Sequence, residues 1–291
     1  MKIIDIINTD QLSYSFEFFP ARDEQSIKEL YDNIDYLRKK FNPLFIDITW
    51  GAGGRTSEKS IEITDFAQNH LNIETQMHLT CVDIDSEKIK KTLDTCKEKN
   101  ISNILALRGD LPLNKDFVLN EQFQYSKDLV RYIRSEYNDF FGICVAGYPE
   151  GHSNYKNDVQ YLKEKIDAGA DFVITQLFFD ADLFIRYKKD LNNQGIHCPV
   201  IPGIFPIVNY ANFKRMQQLC NISVPEWILQ ELEEIQNDKE KIIHFGIQVG
   251  SEICKQLYDA GIKTFHLYTL NKTFSVEQII LQVEAHAASS P

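Results

Sequence analysis

Six polar or titratable positions close short β-rich runs in this chain: Glu17, Thr49, His78, Arg108-Gly109-Asp110, Tyr148 and Gln176. A seventh run leads through Pro206 to Tyr210. They recur at steps of 28 to 38 residues, the length of one strand and one helix. In a parallel α/β barrel the carboxyl ends of the strands carry the reactive groups, so this recurrence gathers a carboxylate, an imidazole, an amide and a guanidinium at one mouth. The chemistry on offer is proton transfer beside a bound organic ligand.

Glu17 is the sharpest of these. Strand alternation turns Phe16 and Phe18 outward to the helices, and Ser15, Glu17 and Phe19 toward the interior. A carboxyl there costs free energy unless it is paired or protonated. Desolvation raises a carboxyl pKa and makes a general acid usable near neutrality; the alternative is a salt bridge to a core Arg or Lys. Asp110 follows a glycine that lets backbone approach a ligand, and it either binds that ligand or pairs with Arg108 across the turn. His78 reads as a site residue or as a hydrogen-bonded core histidine, and Gln176 as an amide reader or a structural side chain. Gly51-Ala52-Gly53-Gly54 reads as a ligand loop or as a plain flexible loop.

The elements that must position them are eight strands, near Tyr14-Phe19, Leu44-Trp50, Glu74-Leu79, Asn103-Leu107, Ile143-Ala146, Phe172-Leu177, Val200-Ile204 and Thr264-Tyr268. Helical periodicity lies between them, for example Ile27, Leu30, Ile34 and Leu37, or Ile89, Leu93 and Cys96 after a cap at Asp85 or Ser86. The expected fold is α/β, a (β/α)8 TIM barrel. Extra helices fall between strands 7 and 8, with a break at Pro225 and an apolar face of Ile242, Phe245, Val249, Ile253 and Leu257. An open dinucleotide-binding sheet would show a glycine fingerprint after its first strand, but that strand ends in Phe18-Phe19-Pro20.

The 291 residues carry 42 acidic and 31 basic side chains, a net charge of −11 that disfavours nucleic acid and anionic lipid as partners. The longest basic block is Arg38-Lys39-Lys40. No apolar stretch is long enough to span a membrane and the first residues do not form a secretory signal, so a cytoplasmic location is expected. The six cysteines are far apart, with no zinc spacing, and read as buried thiols rather than metal ligands or disulfides. No linker or compositional break divides the chain, so residues 1–291 read as one barrel domain. A homo-oligomer stays open.

Ser15-Phe16-Glu17-Phe18-Phe19-Pro20, His78-Leu79-Thr80-Cys81, Leu107-Arg108-Gly109-Asp110-Leu111-Pro112, Ala146-Gly147-Tyr148-Pro149-Glu150-Gly151-His152, Ile174-Thr175-Gln176-Leu177-Phe178-Phe179, Pro202-Gly203-Ile204-Phe205-Pro206 and Phe265-His266-Leu267-Tyr268-Thr269-Leu270-Asn271 together resemble the methylenetetrahydrofolate reductase family. The resemblance covers nearly the whole chain, and implies that the single barrel domain 1–291 is catalytic and has no regulatory domain. It implies an oxidoreductase of one-carbon and methionine metabolism: an FAD-containing flavoprotein that takes hydride from NADH or NADPH and passes it to 5,10-methylenetetrahydrofolate by a ping-pong mechanism, giving 5-methyltetrahydrofolate.

By the same resemblance Glu17 is the acid that opens the folate's five-membered ring, and Asp110 lies between flavin and folate and tunes the flavin. FAD contacts fall on Thr49, Trp50, Ala52, His78, Leu107, Arg108, Gly109, Asp110, Tyr125, Ser126, Tyr148, His152, Asp158 and Lys165. Substrate contacts fall on Glu17, Asp110, Gln176, Tyr210 and Lys272. Tyr210 stands where relatives place an aromatic that stacks on the aminobenzoyl portion or the nicotinamide. Lys272 replaces a substrate-binding arginine of some members and lacks its bidentate fork. A competing class is a flavin-free, pterin-binding barrel that transfers a methyl group, which would share fold and folate but have no colour.

Overall fold

The computed structural model describes residues 1–21, 23–51, 57–82, 84–110, 122–151 and 158–289. Eight strands, β1 (Ser13–Phe18), β2 (Phe45–Ile48), β3 (Thr75–Thr80), β4 (Asn103–Leu107), β5 (Gly142–Gly147), β6 (Phe172–Leu177), β7 (Val200–Ile204) and β8 (Thr264–Tyr268), follow one another around a closed barrel. All neighbours are parallel, and β8 closes on β1 with Ser15 beside His266 and Glu17 beside Tyr268. The expected TIM barrel is what forms, each strand lying within two residues at either end of its sequence-derived range.

Among the described residues ten α-helices surround it: α1 (Glu24–Phe41), α2 (Ser57–Asp65) with a π-helical turn at Phe66–His70, α3 (Ser86–Glu98), α4 (Ser126–Tyr137), α5 (Asp158–Asp167), α6 (Ala181–Asn193), α7 (Tyr210–Cys220), α8 (Glu226–Glu234), α9 (Lys239–Asp259) and α10 (Phe274–Ser289). Short polar side chains start several of them by taking up otherwise orphaned N–H groups. Asp23 accepts from Ser26 N, Asp85 from Lys88 N and Asp238 from Lys241 N, at 2.9, 2.7 and 3.1 Å. The cap of α3 is therefore Asp85. None of the helices among the described residues is long and apolar enough to cross a membrane.

Three helices separate β7 from β8. The long α9 takes the ring position between α6 and α10, which leaves α7 and α8 as the inserted pair. It seats closely because Gly246 has no side chain: a Cβ there would lie 2.0 Å from the Ile207 carbonyl oxygen.

Alternation sorts the barrel into two environments. Phe16, Phe18, Ile46, Ile48, Met77 and Leu79 face outward into the main core against the helices, each large side chain contributing about 2 kcal/mol on burial. Inside, the lower level is apolar: Phe45, Leu105, Cys144, Phe172, Ile174 and Ile201 pack together over Ile3 of the N-terminal turn. Above this plug the inward positions turn polar, and that change of character sets the level of the site. All six cysteines are free thiols; four are buried as expected, and Cys198 and Cys220 are only half-buried.

Candidate active site

At the carboxyl ends of the strands lies a cavity of about 470 Å³, within the usual range for small-molecule sites. Its floor contains Glu17, which is 8% exposed, as the inward parity of β1 requires. The residues facing it are not the core Arg or Lys that a structural salt bridge would need. The Nε2 atoms of His78 and His266 each stand 3.6 Å from Glu17 Oε2.

Below Glu17, fully buried Asp47 reaches the same two imidazoles, with Oδ2 at 3.3 Å from His78 Nε2 and 3.8 Å from His266 Nε2. Gln76 Nε2 donates to both Asp47 oxygens at 3.1 Å, and Ser15 Oγ pairs with His266 Nδ1 at 2.8 Å. Burial alone would push the His78 imidazole down. The Asp47 hydrogen bond and the charges of Glu17 and Asp47 outweigh it, and the net shift is upward. Glu17, Asp47 and His78 bring ligand-type atoms within 4.8 Å of one another, and both Asp47 oxygens already accept from the Gln76 amide.

Around this floor the walls come from neighbouring strand ends. Gly109 holds φ at +84°, and a Cβ there would sit 2.9 Å from Thr80 Cβ, so only glycine lets the β4 turn lie against β3. Cys81 N and Val82 N both bond to the Arg108 carbonyl, lacing the two ends together. Arg108 donates from Nε to Gln124 O at 3.0 Å and lies over the Tyr125 ring at 5.3 Å. Asp110 is exposed on the cavity rim and forms no ion pair with Arg108 among the described residues, so the pairing across the turn does not form.

On the opposite wall Lys165, 7% exposed, donates to the Ala146 carbonyl at 2.7 Å and lies 5.5 Å from the Tyr148 ring centre. Burial lowers its ammonium to about 8. Asp158, at the start of α5, is pushed up to about 6 by burial, with the Lys165 charge and the Tyr148 N–H pulling the other way. Gln176 sits where the β6–β7 register slips, its Oε1 turned back onto Leu177 N at 2.9 Å.

The structure thus brings Glu17, Trp50, His78, Leu107, Arg108, Gly109, Asp110, Ser126, Tyr148, Lys165 and Gln176 onto one cavity. Thr49, Tyr125 and Asp158 are not on its lining, though Tyr125 lies under Arg108 and Asp158 feels the Lys165 charge. Tyr210 begins α7, half-buried against the core and off the cavity wall. Lys272 borders a separate depression with Glu29, Asp32, Asn33, Thr273 and Phe274. Ala52 and His152 lie outside the described residues. Asp47 and His266 escaped the sequence reading, although the parity that pointed to Glu17 also selects them: Asp47 is the one charged residue of Phe45-Ile46-Asp47-Ile48, and it shares a face with Phe45.

Two buried polar atoms on the cavity wall, Trp50 Nε1 and Thr80 Oγ1, have no hydrogen-bond partner among the described residues. Together with a glycine that admits close approach and the buried cation Lys165, they suit a polar, phosphate-bearing aromatic ligand such as FAD.

The family model for methylenetetrahydrofolate reductase matches residues 2–284. The chain belongs to this family. It is 43% identical to maize methylenetetrahydrofolate reductase (NADH) 1 over 97% of its own length and 50% of that protein's. It is 42% identical to the Arabidopsis thaliana enzyme of the same name, covering 51% of it. The chain spans about half the length of these plant relatives. It covers 87% of the 5,10-methylenetetrahydrofolate reductase of Pectobacterium carotovorum at 34% identity. Among solved structures, a Clostridium thermocellum protein described as uncharacterized, and as binding two copies of 5-methyl-5,6,7,8-tetrahydrofolic acid, superposes with a TM-score of 0.66. Coverage is 98% of both chains; at 16% identity this likeness carries the fold alone.

Proposed function

We propose that this chain reduces 5,10-methylenetetrahydrofolate to 5-methyltetrahydrofolate, with FAD held in the mouth cavity and NADH or NADPH as hydride donor. The observation that carries the reading is Glu17: a nearly buried carboxyl at the floor of an open cavity, faced by two imidazoles. When bound, FAD supplies the relay of hydride from nicotinamide to folate.

The chain's own residues do the rest. Glu17 delivers its proton to N10 of the folate as the bond from the bridging carbon to N10 breaks. The iminium left at N5 is the hydride acceptor, so one proton and one hydride are consumed per product. Positioned general acids of this kind are worth about 10²–10⁴ in rate. Gln176 would present its amide to the pterin, and Asp110 at the rim would set a negative charge beside the bound folate and cofactor. Lys165 and Arg108 would hold the FAD diphosphate, and Trp50, Thr80, Gly109 and Tyr148, on the same cavity lining, would hold its ring. Because one cavity serves both substrates, donor and folate take turns, which supports a ping-pong order.

Anaerobic titration of the purified protein tests this. NADH and NADPH in parallel should bleach a flavin absorbance band, and methylenetetrahydrofolate should restore it. A colourless protein that FAD cannot reconstitute would sink the proposal and favour flavin-free methyl transfer.

A further inference from the structure

Resting on the reductase reading, we infer that Asp47 is a positioning residue for the acid: with His78 and His266 it forms a proton-holding ring beneath Glu17. Four atoms alternate around this ring. Glu17 Oε2 and Asp47 Oδ2 each face both imidazole Nε2 atoms, at 3.3 to 3.8 Å. Asp47 is fully buried and fixed through both oxygens by the Gln76 amide. His266 is fully buried, its Nδ1 is taken by Ser15, and its Nε2 has no hydrogen-bond partner, which leaves that atom aimed at the two carboxylates.

A buried carboxylate that touches no ligand is costly unless its charge has work to do. Here the charge sits one imidazole away from the acid. With each carboxylate oxygen within 3.8 Å of both imidazole nitrogens, the proton that Glu17 gives to N10 is drawn from the whole ring. Water entering the mouth after product release supplies the next one. The other titratable groups facing the ring are Cys144 from β5 and Tyr268 from β8, both pushed far up by burial and so uncharged. Tyr148 stands beyond β5, and the Lys165 ammonium lies on that same wall.

The test is Asp47→Asn, which keeps the shape and removes the charge, in the flavin-loaded protein. Taking a negative charge out of the ring weakens its hold on every proton. The alkaline limb of the rate of methylenetetrahydrofolate reduction should therefore move down by about one pH unit or more, while bleaching by NADH keeps its pH profile. An unmoved limb would overturn the inference, since a merely structural role changes rates without shifting the profile. A second arm needs neither folate nor hydride donor, and so stays informative if the reductase reading fails. In ¹⁵N-histidine NMR of the unmutated protein, an imidazolium assigned to His78 or His266 by the loss of its signal on substitution to Gln should persist above pH 7. Both rings neutral at pH 6 would overturn it, whether or not Asp47→Asn folds.

Discussion

His78 Nε2 lies 3.6 Å from Glu17 Oε2, so the carboxyl at the cavity floor meets an imidazole where a structural carboxylate would meet Lys or Arg. The pair separates proton delivery from hydride delivery. Glu17→Gln keeps the shape and a donor but cannot protonate N10. The donor should still bleach the flavin at a near-normal rate, while the folate half-reaction falls by at least about 10²-fold. Stopped-flow absorbance of the two halves decides it; equal losses in both would show that Glu17 does something other than protonate folate.

Asp110 and Arg108 are neighbours across a glycine that do not pair, because Arg108 is committed to the Gln124 carbonyl and the Tyr125 ring. The Asp110 charge is therefore free to act on whatever lies in the cavity. Asp110→Asn should move the midpoint potential of the bound flavin in the positive direction, since a negative neighbour disfavours added electrons. Spectroelectrochemistry reads this directly, and an unchanged potential would move Asp110 away from the flavin.

The eight strands and most of the ring helices were legible because strand alternation and helical periodicity are local signals, and here both agree with the closed barrel. Glu17 was legible for the same reason. Asp47 and His266 were not, because each is one polar residue in a run that otherwise reads as core, and their meaning comes from β1, β2, β3 and β8 meeting across the barrel. Lys272 was carried by resemblance alone, and its place beside Glu29 and Asp32 depends on how α1 packs near the start of α10, which no single segment encodes. The same holds for Tyr210, whose direction follows from the inserted α7.

Gly246 gives the fold its most exacting contact. An alanine Cβ would lie 2.0 Å from the Ile207 carbonyl oxygen, and backbone on both sides cannot yield as a flexible side chain would. Gly246→Ala should destabilise the protein by more than the roughly 1–3 kcal/mol typical of overpacking. Denaturant melts at constant slope measure it. A loss under about 1 kcal/mol would mean that α9 can shift against the Ile207 segment after β7 without consequence.

Lys165 turns burial into a pH dependence. Its ammonium is lowered to about 8 in the folded chain from an ordinary 10.5, so the unfolded chain holds the proton more tightly between those values. The flavin-free protein therefore gains stability from this group as pH rises through that window. Binding runs the opposite way. A diphosphate beside Lys165 needs the charged form, so above about pH 8 the proton must be taken up on binding, and FAD affinity should fall by up to about tenfold per pH unit. Lys165→Met should bind FAD weakly at pH 7 and lose this dependence. Flavin fluorescence titrations from about pH 7 to about pH 9, roughly one unit either side of the Lys165 midpoint, would show it. A wild-type affinity that stays flat across pH 8 would place the cofactor's phosphates elsewhere.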